Sequence, residues 1–384
     1  MTTPVPFAAE ERDWNPSAKA GWFAMAEAPP RTRPPALSAE EIAALPADGR
    51  HRYHRARAIW HANLGPIRTA QVDAVFEALE EICGSNLQDG DKARPAAVLD
   101  ALPGLGKTTA ALAFGRCFHR EQIDLHGPQV DTGDGSWQRI PVAYLGLTSH
   151  TTMRSLNAML CRFYGLPEHG NADLLAHRAA ECVTNCKTRL MIVDFTDVHF
   201  LDVTRRDGRE VANHFKWLAN VFSVTFLFVG VGLRARGLLD EGLTGADAAY
   251  SQTARRWNVL SMDPFEIRTQ AGQRTWRQLL LGIERDLLLA RSWRGMIARD
   301  LTGYLFARST GHFASLMSLI SRGCYRAVKT GAESLTPALL DAVRIDQAAE
   351  DARGQLQAAI DAGAPPSRSR GRATATSTAA AGAA

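Results

Sequence analysis

The sequence lacks a hydrophobic run long enough to cross a membrane. Its most apolar stretch, residues 221–233, is too short, because a membrane-spanning helix needs about 20 apolar residues. The N-terminus also lacks a basic segment followed by an apolar run, so no signal peptide is indicated. We therefore expect a cytoplasmic protein without a membrane partner.

The sequence also lacks the cysteine patterns of metal sites. Of its six cysteines none forms a CxxC pair, and the closest two, Cys182 and Cys186, have the spacing of one helix face. Histidines or further cysteines at ligand spacing are missing nearby, which argues against zinc. Reduced, partly buried thiols are the expectation.

Neither positive nor negative charge dominates the chain. Lys and Arg number 44 against 40 Asp and Glu, giving a net charge of +4, which permits nucleic-acid binding without requiring it. The length of 384 residues, with 46% hydrophobic content, is enough for two domains with substantial cores.

Composition and periodicity divide the chain into four parts. Residues 1–36 are rich in Pro and Ala and predict a flexible arm, whose Trp14, Trp22 and Phe23 either anchor a partner or pack back on the body. In residues 264–348 the strand signals vanish and helical periodicity predicts a small helical domain. Residues 349–384 read as a helical stretch and a disordered basic tail.

Between these parts, residues 37–263 alternate short apolar runs with helical patterns. The runs occupy residues 96–102, 140–147, 190–193 and 224–231, and helical patterns include residues 108–119 and 153–164. Such alternation predicts an α/β fold with a parallel sheet between helices.

The most specific motif is a phosphate-binding loop. It reads Ala-Leu-Pro-Gly-Leu-Gly-Lys-Thr over residues 101–108 and lies between an apolar strand and an amphipathic helix, as the P-loop pattern requires. Glycines let backbone N–H groups approach phosphates, Lys107 supplies a charge near the β- and γ-phosphates, and the Thr108 hydroxyl would hold Mg²⁺. The residues expected to bind ATP are Pro103, Gly104, Leu105, Gly106, Lys107, Thr108 and Thr109.

The loop departs from the pattern at its first position. Ala101 stands where glycine is usual, and alanine adopts a positive φ only at a cost of about 1 kcal/mol.

A second strand supplies the acid that a P-loop needs. Asp194 ends the run Leu-Met-Ile-Val-Asp at residues 190–194 and is the expected Mg²⁺-side carboxylate. Hydrolysing enzymes of this kind usually carry Glu next, to polarise the attacking water, but here the residue is Phe195. Asp197 either takes that role or caps a turn, and hydrolysis is expected to be slow. Further on, Arg255 and Arg256 are candidates for a finger acting in trans on the γ-phosphate, or for a solvated helix end.

Taken together, the order of these motifs resembles the AAA+ ATPases, and among them the TniB/TnsC regulators of transposition. The resemblance runs over residues 50–340. It rests on a basic and aromatic segment containing Arg50, Arg55 and Trp60, on the segments 197–201, 213–220 (with Asn213, Lys216, Leu218 and Asn220) and 226–230, on the Ala-Arg-Arg-Trp segment 254–257, and on the lid segments 310–313 and 327–331.

This resemblance implies a P-loop AAA+ parallel sheet sandwiched by helices over residues 37–263 and a small helical lid over residues 264–348. It favours Arg256 as the finger and makes Lys107, Asp194, Asp197 and Arg256 the catalytic set. Two departures accompany Phe195: the strand before Gly230 ends without a polar sensor, and no sensor arginine is evident near Gly311. All of them bear on hydrolysis more than on ATP binding.

The function that the resemblance implies is an ATP-bound homo-oligomer on double-stranded DNA that recruits a transposase, together with a target-selection protein. Thr148, Thr151 and Arg154, in a loop after a core strand, are candidates for phosphate contacts, although capping of the following helix explains the hydroxyls equally well. The basic residues of the lid would either contact DNA or form a solvent-exposed helix face without a binding role. The alternatives are a STAND-like NTPase that senses a protein partner, and a nucleotide-binding scaffold without catalysis.

Overall fold

The structure is a computed structural model, and it describes residues 14–88, 94–133, 135–147, 151–195, 214, 215, 218, 222–233 and 257–361. Of the candidate site residues, Thr148, Asp197 and Arg256 lie outside the described residues. Among the described residues no helix is long and apolar enough to span a membrane, and none of their His, Cys, Asp and Glu side chains form a cluster that could hold a metal.

A five-stranded parallel sheet forms the centre of the larger part of the molecule. Its strands are β1 (Ala96–Ala101), β4 (Val142–Leu147), β5 (Leu190–Phe195), β6 (Thr225–Gly230) and β7 (Trp257–Met262), in the order β4-β5-β6-β1-β7. The residues of β5 and β6 are buried throughout, as expected for strands covered by helices on both faces. The predicted parallel sheet is thus confirmed.

Strand β7 and a short antiparallel pair were not predicted. β7 is an edge strand in which half of the residues are exposed, so its sequence has no continuous apolar run. The hairpin of β2 (Gln129–Thr132) and β3 (Gly135–Gln138) is equally polar, because most of its residues are exposed.

Helices cover both faces of the sheet. They are α4 (Ala70–Ser85), α5 (Lys107–His126), α6 (Met153–Tyr164) and α7 (Ala172–Asn185). Local sequence sets their ends: Thr69 and Asn171 cap the N-termini of α4 and α7, and Thr152 forms a capping box with Ser155 at the start of α6.

The C-terminal part is helical and has a hydrophobic cluster of its own. Its helices are α8 (Gln270–Asp286), a π-helical turn (Met296–Asp300), α9 (Thr302–Ser309), α10 (Phe313–Thr330), α11 (Pro337–Asp341) and α12 (Gln347–Asp361). Trp276 of α8 is fully buried in this cluster, with its ring edge-on to Phe306 at 5.4 Å. Because α12 packs against α9, the helical layer continues beyond residue 348.

The described part of the N-terminal arm is packed, so the expectation of a flexible arm fails for residues 14–36. Helix α1 (Lys19–Ala26) lies on α5, and the Trp22 side chain is fully buried in the sheet's core. Its indole Nε1 donates to His119 Nδ1 at 3.1 Å. Gly115 makes room for the ring, since a Cβ there would lie 2.9 Å from it. Burial lowers the pKa of His119 to about 4, so the imidazole is neutral and accepts this bond.

Helices α2 (Ala39–Ala44) and α3 (Ala47–Ala62) follow the arm. Sequence patterning grouped α3 with the sheet, but in the structure it packs on α10 of the helical part. The contact includes a buried ion pair: Arg57 donates to both carboxylate oxygens of Glu333, at 2.7 and 2.8 Å. His61 Nε2 accepts the backbone N–H of Leu288 at 3.0 Å. Helix α3, which precedes the sheet in sequence, is therefore bonded to the helical part through Arg57 and His61.

Candidate functional site

The phosphate loop lies between the end of β1 and the start of α5. Gly104 and Gly106 have φ values of +75° and +89°, which residues with a Cβ adopt only with strain. Gly106 is the N-cap of α5, so the backbone N–H groups at the positive end of a 20-residue helix border the loop.

Ala101 causes no strain in this loop. It is the last residue of β1, where it pairs with Met262 of β7, and it is not among the described non-glycine residues with a positive φ. The expected cost of an alanine at this position is therefore not incurred.

Lys107 is the first residue of α5 and keeps its ammonium group inside the loop. The residue is 8% exposed, and Nζ donates to the carbonyl oxygen of Leu102 at 2.7 Å. Burial lowers the pKa of Lys107, while the negative charges of Asp100 and Asp194 oppose that shift. A buried cation in a glycine-rich loop is suited to meet phosphate oxygens.

Asp194 lies within reach of the same loop. It is 3% exposed, accepts a hydrogen bond from the Tyr144 hydroxyl at 3.0 Å and is hydrogen-bonded to Thr108. Burial raises the pKa of Asp194, and the hydrogen bonds from Thr108 and Tyr144 with the charge of Lys107 counteract the rise. The structure thus brings Lys107, Thr108 and Asp194 together, although they come from two elements that are not adjacent in sequence.

Sheet register explains why Tyr144 reaches Asp194. On β4, Gly146 lies directly opposite Asp194, and Tyr144 lies opposite Ile192. Tyr144 lies two residues before Gly146 and therefore on the same side of the sheet, and its ring lies 3.6 Å from where a Cβ on Gly146 would be, so its hydroxyl reaches Asp194. Sequence reasoning missed Tyr144, and the signal was a single hydroxyl-bearing residue in an otherwise apolar strand.

Phe195 points away from the phosphate loop. It is 5% exposed, and its ring is stacked on Phe228 at 6.1 Å and lies edge-on to Phe215 at 6.4 Å. Successive strand residues face opposite sides of a sheet, so Asp194 faces the loop while Phe195 joins the core. Phe195 fills a hydrophobic cluster and has no group that could orient water.

The end of β6 also carries no polar group. Gly230 is opposite Asp100 of β1, and a Cβ on Gly230 would lie 2.7 Å from the Leu233 side chain. A side chain at position 230 would collide with Leu233, so the close packing leaves no room there for a polar sensor residue. Asp100 was not singled out from the sequence, yet its charge acts on Lys107.

A cavity of 240 Å³ adjoins the loop, between α4, the end of β7 and the helical part. Its walls are mainly apolar and include Leu105, Ile67, Val72, Met262 and Phe313. An apolar cavity beside a phosphate-binding loop is suited to a nucleobase. Leu105, Gly106 and Thr109 of the candidate nucleotide-binding set line it.

The helical part closes over the loop through the start of α10. The Ala314 N–H donates to the Gly104 carbonyl at 2.9 Å, and a Cβ on Gly106 would lie 3.6 Å from the Phe313 ring. The positive end of this 18-residue helix is thus adjacent to the phosphate loop. Phe313 and Ala314 make these contacts where a sensor arginine was sought and not found in the sequence.

The candidate DNA contacts separate in the structure. Thr151 is buried, and the residue that caps α6 is Thr152. Arg154 is exposed, and its Nε donates to the Gly170 carbonyl at 2.9 Å. Of the described candidates, Arg154 alone therefore offers its side chain to solvent.

Comparison with known proteins agrees with this geometry. Residues 91–239 match a protein-family model described as an AAA domain. The chain has the P-loop AAA+ fold. Among solved structures it is similar to the ORC2 protein of Aeropyrum pernix in ADPNP and ADP complexes, with TM-score 0.54 and 15% identity over 78% of this chain and 71% of that one.

A second similar structure is the ORC1 protein of the same organism in complex with DNA, with TM-score 0.53 and 14% identity over 78% of this chain and 69% of that one. No curated protein sequence matches. At this identity the likeness establishes the AAA+ fold. The narrower resemblance to the TniB/TnsC regulators stays a prediction.

Proposed function

We propose that the protein is an ATP-dependent switch of the AAA+ type, which oligomerises on double-stranded DNA and recruits a transposase. The observation that carries its nucleotide part is the convergence of Lys107, Thr108 and Asp194 beside a base-sized apolar cavity. The DNA part rests on the sequence resemblance, and a solved relative of the same fold was captured with DNA.

Mg²⁺–ATP fits the residues of the site. Lys107 would bind the β- and γ-phosphates, and the loop from Pro103 to Thr109 would surround them with backbone N–H groups. Thr108 and Asp194 supply the oxygen donors that Mg²⁺ prefers. Tyr144 positions Asp194, since its hydroxyl donates to Oδ2. The bound metal would neutralise phosphate charge.

Hydrolysis by this site is proposed to be slow. Phe195 cannot orient water, because its ring is buried among Phe215 and Phe228. Asp197 and, in trans, Arg256 remain the proposed catalytic partners. A switch that holds ATP for long periods suits an oligomer that must persist on DNA until a partner arrives.

The experiment that tests this function measures binding of a labelled random-sequence duplex by fluorescence anisotropy. The protein is supplied with Mg²⁺ and ATP, ADP or no nucleotide, at two salt concentrations. We expect binding that requires ATP and weakens steeply with salt, because an oligomer that neutralises many phosphates releases many counterions.

Lys107→Ala serves as the matched control. It removes the phosphate-binding charge from the loop, so ATP affinity and ATP-dependent duplex binding should both be lost. Wild-type ATP affinity in this variant would refute the nucleotide site. Duplex affinity that is equal with and without ATP would refute the switch.

A second candidate is a nucleotide-binding scaffold that senses a protein partner and binds no DNA. The burial of Phe195 favours it, because that position then needs no catalytic group. Normal ATP binding without duplex binding under any nucleotide, and without phosphate release, would select this candidate.

A further inference from the structure

A larger cavity of 890 Å³ lies beside the nucleotide site. It is bounded by the N-terminal segment before α2, the end of α3, helix α5 and the end of α8. The residues between α3 and α4, 63–69, form a linker that contributes to both cavities. Five arginines line this cavity, which we call the arginine cleft: Arg31, Arg68, Arg116, Arg120 and Arg285.

The cleft carries more positive than negative charge. Asp286 is the one carboxylate among its lining residues, and its Oδ1 lies 3.7 Å from Arg285 Nε. Arg68 is paired with Asp73 of α4. Arg120 donates to the carbonyl oxygens of Ala26 and Ala28, and these neutral partners do not cancel its charge.

Arg116 is the one member of the five with a buried side-chain nitrogen, Nε, that has no hydrogen-bond partner. Burial, with the like charge of Arg120 four residues away, lowers the pKa of Arg116. Two guanidinium groups on one face of α5 repel each other, so an anion between the walls of the cleft would relieve an unfavourable charge.

Two tryptophans add flat apolar surface to the same cleft. Trp14 is 46% exposed. Trp60 is half-buried, and its Nε1 donates to the Asp286 carbonyl at 2.7 Å, which fixes the orientation of the ring. Aromatic rings combined with a basic groove are the usual means of binding single-stranded nucleic acid, because bases stack on the rings and the backbone lies on the cations.

We propose that the arginine cleft binds a short run of single-stranded nucleic acid, about two or three nucleotides. Arg31, Arg116 and Arg285 would contact its phosphates, and Trp14 and Trp60 would contact its bases. Duplex DNA does not suit this cleft, since its bases are stacked inside the helix and cannot meet the tryptophan rings. The site is therefore separate from the duplex binding proposed above.

The test measures anisotropy of a labelled 12-nucleotide oligo(dT) with the full chain carrying Lys107→Ala, so that the P-loop takes no nucleotide. In this background, Arg31→Gln with Arg116→Gln and Arg285→Gln should weaken binding by about tenfold or more. The slope of log K against log salt should fall by about 2, since each single-strand phosphate contact contributes roughly 0.7. Trp14→Ala should weaken binding by about 5- to 10-fold through lost stacking.

The matched control removes the same charge outside the cleft. Arg274→Gln with Arg277→Gln and Arg326→Gln changes three exposed arginines of the helical part and should alter oligo(dT) affinity by less than about twofold. Thermal melting of both triple variants checks that each is folded. In a chain that keeps Lys107, the triple cleft variant should still bind the duplex in the presence of ATP. This result separates the present proposal from the proposed function.

Competition identifies the source of the ligand. Displacement of oligo(dT) by thymidine trinucleotide but not by mononucleotides supports a strand, whereas equal displacement by a mononucleotide would assign the same chemistry to a free nucleotide. Three results overturn the proposal: no oligo(dT) binding, equal losses in the cleft and control variants, or equal competition by inorganic polyphosphate or an acidic peptide, which would show that the bases make no contribution.

Discussion

Replacing Phe195 by glutamate is the sharpest test of how the site differs from hydrolysing enzymes of its type. In those enzymes a glutamate usually follows the strand-end aspartate, so from sequence alone Phe195→Glu would be expected to create a faster ATPase. The structure predicts the opposite outcome. Because the side chain faces the core, the glutamate would be buried among Phe215 and Phe228 and would not approach the phosphates.

The size of the loss follows from burial. Phe195 is 5% exposed, and truncating a buried phenylalanine costs about 3–5 kcal/mol. The carboxyl group would have to become protonated or carry an unpaired charge in an apolar cluster, which adds about 1–3 kcal/mol. We therefore expect a loss on the order of 5 kcal/mol, which lowers Tm by roughly 10–20 °C in a domain of this size.

The assay combines thermal melting by circular dichroism with phosphate release at a temperature where the variant is folded. Phe195→Leu is the matched control, and should cost about 1–2 kcal/mol because it keeps an apolar side chain of similar volume. Neither variant should hydrolyse ATP faster than the native protein. A Phe195→Glu protein with native Tm and accelerated phosphate release would show that residue 195 faces the nucleotide, and would refute the burial of its side chain in the core.

Three further predictions concern other buried groups. Burial raises the pKa of Asp194 in the folded state, so its stabilising effect is present at acid pH and is lost as the pH rises from the ordinary aspartate value of 3.8 through the folded pKa. Asp194→Asn should flatten that part of a profile of urea-unfolding free energy against pH and weaken Mg²⁺-dependent ATP binding, and an unchanged pH profile would contradict this. Trp22→Ala should lower the free energy of unfolding by about 3–5 kcal/mol, whereas Trp293→Ala, at a half-exposed ring, should lower it by about 1 kcal/mol or less. Equal melting temperatures for the two variants would mean that residues 14–36 are not packed on the sheet. Arg57→Met should lower the free energy of unfolding by about 3–5 kcal/mol, since it leaves Glu333 buried without its partner. A double-mutant cycle with Glu333→Gln should give a coupling energy of about 1–3 kcal/mol, and additive losses would mean that the pair does not join α3 to the helical part.

The sequence predicted the parts of the fold whose signals are local. The buried strands are short apolar runs because helices cover both faces of the sheet, and the P-loop is a contiguous motif between a strand and a helix. The predicted helix over residues 153–164 coincides with α6 (Met153–Tyr164). Strand β7 was not predicted because a half-exposed edge strand needs no apolar run, so its residues carry no periodic signal.

The parts that could not be predicted depend on contacts between distant segments. Tyr144 meets Asp194 because the register of β4 on β5 places Tyr144 two residues before the position opposite the aspartate. Trp22 is buried because Gly115, far along the chain, leaves space for its ring. Neither position is marked by its neighbours in sequence: a tryptophan in a Pro- and Ala-rich arm is compatible with a loose or a packed segment, and only the three-dimensional structure decides.

The linker of residues 63–69 connects these features physically. At one end it continues from α3, which the Arg57–Glu333 pair fastens to the helical part, and at the other it leads into α4, which covers the sheet. Residues 63–67 line both the base-sized cavity and the arginine cleft. A ligand that orders the linker from one cavity changes the wall of the other, and by thermodynamic linkage the effect must be reciprocal. If the cleft binds a strand as proposed, oligo(dT) should therefore alter ATP affinity in the native chain by the same factor by which ATP alters oligo(dT) affinity. A factor of one in both directions would mean that the linker does not couple the two cavities.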